Sequence, residues 1–178
     1  MNLYIRLFFM FVRTRFKSKI SIFDEFVSRH RVLPNDLDLL GHMNNGRYFT
    51  ITDYVRIEML IRAGLWKAMK KRKVYPVMAG ETVQFRKPLQ PFRSYRIISN
   101  TLGWDDKFFY VEHRFTSSKG VHALMLVKVR VVGAGKTRVS PAQVLSYIYS
   151  GTITEMNMDE SILTWRKSAQ IHWDQTPH

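Results

Sequence analysis

The chain has 178 residues, no cysteine and a formal net charge of +14. That length suits one compact domain with short extensions rather than two full domains. The missing cysteine excludes a disulfide scaffold, a thiolate metal site and a cysteine nucleophile, and fits a reducing compartment. The positive charge favours anionic partners such as nucleotides, nucleic acid or acidic lipid.

Residues 3–12 read LYIRLFFMFV, and Arg13, Arg15, Lys17 and Lys19 follow. A membrane-spanning helix needs about 20 apolar residues, and Arg6 interrupts this shorter run. A secretory signal places its basic residues first and ends at a small-residue site, the reverse of the order here. The segment reads as an extra helix. It either packs on the domain or a partner subunit, or lies at a membrane surface with a basic collar.

From Glu25 to Leu33 the chain alternates, with Phe26, Ser28, His30 and Val32 on one face of a first strand. Pro34, Asn35, Asp36 and Gly41 mark an irregular loop. A helix follows, capped by Asn44 or Asn45 and stopped at Gly64 with apolar Leu65 behind it. Tyr48, Phe49, Ile51, Tyr54, Val55, Ile57, Met59, Leu60, Ile61 and Ala63 cover most of its circumference, the mark of a buried helix. Lys67, Lys70, Lys71, Arg72 and Lys73 read as a solvated basic segment.

Four strands follow, over 74–87, 95–104, 108–116 and 121–132. Asp105-Asp106 and 117–120 form turns, and short connections imply an antiparallel meander or a close variant. Ser140-Pro141 starts a terminal helix over 142–150. Past Gly151 no firm structure is legible. The sequence divides into a helical extension (1–24), a domain (25–135) and a C-terminal helix and tail (136–178). The order of strand, buried helix and four strands is an α+β arrangement with a sheet curled round a helix. One sheet covers so apolar a helix poorly, so a dimer is expected.

Chemistry concentrates in residues 36–48, DLDLLGHMNNGRY. Free N–H groups at a helix N-terminus can polarise a carbonyl and stabilise the oxyanion formed on attack. A carboxylate beside them can attack that carbon or activate a water. Gly41 suits the sharp turn such a loop needs. No G-x-S-x-G elbow, H-E-x-x-H or paired-cysteine pattern is present.

The stretch DLDLLGHMNNGRYF, with Asp53 and Arg56 beyond it, resembles the D-x-D-x-x-G-H-x-N-N-x-x-Y signature of 4-hydroxybenzoyl-CoA thioesterase-like proteins. VQFRKPLQPFRSYRI resembles their strand–turn–strand, and the likeness covers roughly residues 25–135. The resemblance implies a hot-dog fold, a long helix wrapped by an antiparallel five-stranded sheet, here with helical extensions at both ends. It implies a homodimer or dimer of dimers with the site between subunits, and hydrolysis of an acyl-CoA to a free acid and CoA.

Carried over by position, Asp38 is the catalytic nucleophile or general base and Asp36 orders the loop. Gly41 lends a backbone N–H near the thioester carbonyl, and His42 and Asn45 complete the catalytic set. Asn45 stands where some relatives carry a histidine. Asn44, Tyr48 and Phe85 are assigned to substrate contact, and Arg86, Lys87 and Arg93 to the CoA phosphates. One carboxylate suffices because the leaving thiol titrates near 8.5 and departs without a strong acid.

No metal or cofactor is implied, CoA being part of the substrate. Asp53 and Arg56 are either a buried ion pair behind the loop or an i,i+3 surface pair. The alternative function is a non-catalytic hot-dog dimer binding acyl-CoA or lipid at a membrane surface. Nucleic acid is not an expected partner, since no aromatic-plus-basic motif accompanies the charge. The expected location is cytoplasmic, with peripheral membrane contact through residues 3–19 as a variant.

Overall fold

The computed structural model describes residues 3–150 and 158–174. Helix α1 (Leu3–Thr14) precedes strand β1 (Phe26–Arg31), a short turn over 34–36 and the long helix α2 (Asn45–Arg62). Helix α3 (Leu65–Lys71) leads into β2 (Tyr75–Phe85), β3 (Ser94–Trp104), β4 (Phe108–Ser117) and β5 (Gly120–Val132). A two-residue strand β6 (Arg138–Val139), helix α4 (Pro141–Leu145) and helix α5 (Glu160–Asp174) complete the described chain.

The antiparallel sheet runs β1-β3-β4-β5-β2, with β6 added to the end of β5. Five long strands are those expected; the sixth is too short to leave a periodic signal. Only β3, β4 and β5 form a meander. Strand β2 pairs with β5 instead of its sequence neighbour β3, from Tyr75↔Val132 to Phe85↔Ala123. It therefore lies at an edge of the sheet, opposite the β1 edge.

Alternation along the strands sends one face inward. Val127, Met125 and Ala123 of β5, Phe115 and Val111 of β4, Ile97 and Tyr95 of β3 and Phe26 of β1 are buried. They form one core with Tyr48, Ile51, Val55 and Met59 of α2. A second cluster unites Leu65 and Met69 of α3 with Trp104, Val131, Val144 and Leu145. The segment read as solvated and basic is thus a helix with its lysines outward and two apolar residues, four apart, inward. Gly64 ends α2 at φ 78°, the left-handed region glycine enters cheaply, and so turns the chain into α3.

Two further features depart from the sequence reading. Helix α5 occupies part of the region taken as unstructured, with Ile162 buried and Arg166 bonded to Asp105 at 3.1 Å. Residues 151–157 and 175–178 of that tail lie outside the described residues. The helix beginning at Ser140-Pro141 also stops at Leu145 rather than at 150. The exposed side of α2 is partly covered from within the chain, because α1 packs on it and Lys17 pairs with the buried Glu58 at 2.5 Å.

Candidate active site

The candidate loop owes its shape to the buried Asp36. Its Oδ2 accepts the Leu33 N–H at 2.9 Å and the Arg6 guanidinium at 2.5 Å. Its Oδ1 lies 3.7 Å from Arg47 Nε, and its carbonyl accepts the Asn44 N–H at 2.8 Å. One carboxylate therefore joins α1, the turn and the first residues of α2. This matches the loop-ordering role that the resemblance gave Asp36.

Beyond Asp36 the chain folds back on itself. The Asp38 N–H donates to the His42 carbonyl at 3.0 Å, and the Gly41 N–H donates to the Asp38 carbonyl at 3.1 Å. Gly41 takes φ 74°, which a residue with a Cβ adopts only under strain. Asp38 Oδ1 accepts the Leu40 N–H at 2.9 Å, while its Oδ2 lies 3.3 Å from His42 Nδ1. Both side chains are partly exposed, 22% for Asp38 and 28% for His42, so a reactant can reach them. Asn44 is the cap residue: its Oδ1 accepts the Gly46 N–H at 2.8 Å, and Asn45 is the first helical residue.

The fold thus brings Asp38, Gly41, His42, Asn44 and Asn45 together on one loop. One detail differs from expectation, because the Gly41 N–H already has an acceptor within the loop. Along residues 36–45 of the described chain, the N–H groups of Leu39, His42 and Asn45 have no backbone acceptor. They are the donors a carbonyl could meet.

The other expected residues are spread more widely. Tyr48 is buried, with Phe85 edge-on at 4.9 Å and Phe115 at 4.7 Å. Burial pushes its hydroxyl up to about 12, so Tyr48 acts as a neutral core group. Phe85 is 44% exposed and sits at the end of β2, against the first turn of α2. Arg86 is exposed. Lys87 bends its ammonium onto the Lys119 carbonyl at 3.1 Å, beside the β4–β5 turn. Arg93 is half-buried and its carbonyl accepts the Val32 N–H at 3.0 Å, so its backbone braces the chain after β1.

Sequence reading missed a cavity of about 440 Å³ between the middle of α2 and the sheet. Met59, Met69, Met78, Phe109, Val111 and Val129 are among its lining residues. Its polar contributors are Asp53, Arg56, Trp66, Tyr75 and Thr101, and the Thr101 hydroxyl is already donated to the Ile22 carbonyl at 2.8 Å. The Asp53–Arg56 pair proves mixed, since the Arg56 side chain is 10% exposed and that of Asp53 58%. Arg56 also lies 3.1 Å from Glu81 of β2, whose carboxyl is raised by burial against the opposing pull of Arg56. Asp53 and Arg56 were visible in sequence. The cavity was not, because its walls come from seven elements and the segment before β1.

Residues 32–146 match the family model of the thioesterase-like superfamily. Protein THEM6 of Xenopus laevis is 36% identical over 138 residues, a match covering 76% of this chain and 64% of that protein. A probable thioesterase of Saccharomyces cerevisiae is 31% identical over 75% of this chain and 60% of its own. The chain therefore aligns with less than two thirds of the length of either relative. Among solved structures, a gentisyl-coenzyme A thioesterase superposes with a TM-score of 0.62 at 21% identity, covering 68% of this chain and 99% of that one. That last likeness speaks to the fold alone.

Proposed function

Because the chain belongs to the thioesterase-like superfamily, we propose that it hydrolyses an acyl-CoA thioester with Asp38 as its reactive carboxylate. The observation that carries this reading is the partly exposed Asp38, bonded to the Leu40 N–H and next to His42 on the loop that leads into α2. The thioester carbonyl accepts from the His42 and Asn45 N–H groups. Asp38 removes a proton from a water that attacks the carbonyl carbon, or attacks that carbon itself to give a mixed anhydride, which a water then cleaves to release the acid and restore the carboxylate. A carbon–oxygen bond forms, the carbon–sulfur bond breaks, and CoA leaves as a thiolate stable enough to need no strong acid. His42, within reach of Asp38 Oδ2, holds the carboxylate in place.

The cavity supports an aliphatic acyl group. Most of its lining residues are aliphatic or methionine, and the Thr101 hydroxyl is already engaged. A water occupies about 30 Å³ of liquid, and a methylene is of similar size, so the space holds about 15 such units. Asp38 does not line the cavity. Eight residues separate Asn45 from Asp53, about 12 Å along the helix.

A homodimer closes that gap in our reading. The β2 edge carries exposed Tyr75, Val77 and Phe85, and the loop carries Leu39 and Leu40, 105% and 80% exposed. Such an edge invites pairing with another strand. Two chains joined there set the loop of one against the cavity of the other. Arg86, on the exposed corner after β2, then faces CoA phosphate.

A second reading draws on the same separation of loop and cavity: a module that binds acyl-CoA without hydrolysing it. Thiol release over a panel of aliphatic and aromatic acyl-CoAs, run on the parent and on Asp38→Asn, decides between the two. Hydrolysis lost in the variant supports catalysis. Saturable binding with no turnover of any thioester supports the module, and equal turnover by both proteins rejects Asp38.

A further inference from the structure

Helix α1 is mounted inside out. A surface helix normally turns its apolar stripe toward the core. Here the inward side presents Arg6, Met10 and Thr14, with Arg6 on the buried Asp36 at 2.5 Å and the Thr14 hydroxyl donated to the Met10 carbonyl at 2.6 Å. The outward side presents Ile5, Phe8 and Val12, each between 40% and 64% exposed, and Phe9, 53% exposed, stands at its edge where it also lines a cavity with Arg6 and Met10. Phe16, just past the helix, is 86% exposed. Two ion pairs, Arg6–Asp36 and Lys17–Glu58, hold the helix in this orientation.

Charge identifies what covers the aromatic face. Arg13, Arg15 and Lys19 are exposed at the C-terminal end of α1 and just beyond it. Among the described residues none of the three takes part in an ion pair. A second copy of the chain would bring the same cations to the same face and repel. An anionic bilayer offers both an apolar layer for the rings and phosphates for the cations. The helix is about 18 Å long at 1.5 Å per residue, against roughly 30 Å of bilayer hydrocarbon. Among the described residues no helix is long and apolar enough to cross a membrane.

We propose that α1 lies flat in the surface of an anionic phospholipid membrane, its phenylalanines in the acyl boundary and its basic collar among the headgroup phosphates. Because Arg6 grips Asp36, two residues before Asp38, docking sets the candidate loop at the same surface. The docking itself is independent of any hydrolysis.

Vesicle sedimentation of the full chain at physiological ionic strength tests the proposal. The vesicles are phosphatidylcholine alone, or phosphatidylcholine mixed with phosphatidylserine. The parent should pellet at least tenfold more readily with the mixed vesicles. Phe8→Ser with Phe16→Ser should lose that binding, and Arg15→Glu with Lys19→Glu should lose the preference for phosphatidylserine. Lys70→Glu with Lys71→Glu makes the same charge change on exposed positions of α3 and should bind as the parent does. All four positions near α1 are exposed, so unchanged thermal melting certifies that those variants are folded.

The proposal is overturned if the serine variant binds like the parent, or if the α3 variant loses binding equally, since net charge would then be the cause. It is also overturned if the serine variant instead halves the particle mass in solution, because the face would then cover a second copy.

Discussion

At the N-terminal end of α2, polar groups hold one another. Asp36 gathers Arg6, Leu33 and Arg47, Asp38 is tied to Leu40 and His42, and Asn44 caps the helix. Along the middle of the same helix the chain leaves a largely apolar space, with Asp53, Arg56, Tyr75 and Thr101 among its few polar groups. The first region fixes directions to within a hydrogen bond. The second fixes only volume and the exclusion of water. A reaction at a carbonyl needs the first, and retention of a flexible acyl group needs only the second. The two regions should therefore respond differently to substitution.

The largest difference is expected at Asp38. Asp38→Asn keeps the side-chain shape and an acceptor for Leu40 but removes the reactive charge. Turnover should fall by about 10²–10⁴-fold while acyl-CoA binding changes little. A thiol-release assay beside a binding titration separates these effects. If affinity collapses together with rate, the loop is a binding element and the contrast between the regions fails.

Next is Asp36→Ala, which strands Arg6 and Arg47 and removes the acceptor for Leu33. Breaking a buried pair from one side costs about 3–5 kcal/mol. Urea unfolding should show a loss at that upper scale, whereas a surface acid such as Asp106 should cost almost nothing.

A third test uses pH. Burial, reinforced by Arg6, Arg13 and Lys17, lowers His30 to about 4, and burial lowers His113 to about 3. Both are neutral in the folded chain, whereas the unfolded chain takes up their protons near 6.5. The native state binds fewer protons there, so stability is complete above about pH 6.5 and falls as acid is added. Each histidine should remove about 1.4 kcal/mol per pH unit between 6.5 and its folded value. His113→Gln should flatten the measured decline by about one proton's worth of slope. An unchanged slope would place that ring in contact with solvent.

The smallest effect is expected in the cavity. Val129→Phe narrows it without touching the loop. Hydrolysis of long aliphatic acyl-CoAs should fall about tenfold relative to short ones, near the lower end of what pocket fit can discriminate. An equal loss for all chain lengths would mean that the space is structural.

Local patterns in the sequence revealed much of this architecture. Alternation over 25–33 put Phe26, Ser28 and Val32 on one face, and all three are buried, while Ser140 followed by Pro141 announced a helix start. The signature at 36–48 located the candidate loop. Long-range pairing was not legible. Nothing local says that β2 crosses to β5, or that Arg6 will find Asp36 thirty residues on and turn α1 outward. Helix α3 was hidden by its lysines, although Leu65 and Met69 carried the period. The cavity is a tertiary property that no spacing encodes.

Asp105 serves the β3–β4 hairpin tip and helix α5 in unequal shares. Its carboxylate accepts the N–H groups of Lys107 and Phe108, the Tyr110 hydroxyl and the Arg166 guanidinium. Three of those four donors lie within five residues of it, and only the last comes from α5. Loss of the α5 contact would leave the tip three of its four donors, whereas loss of the Asp105 carboxylate would unfasten both the tip and the helix that reaches it.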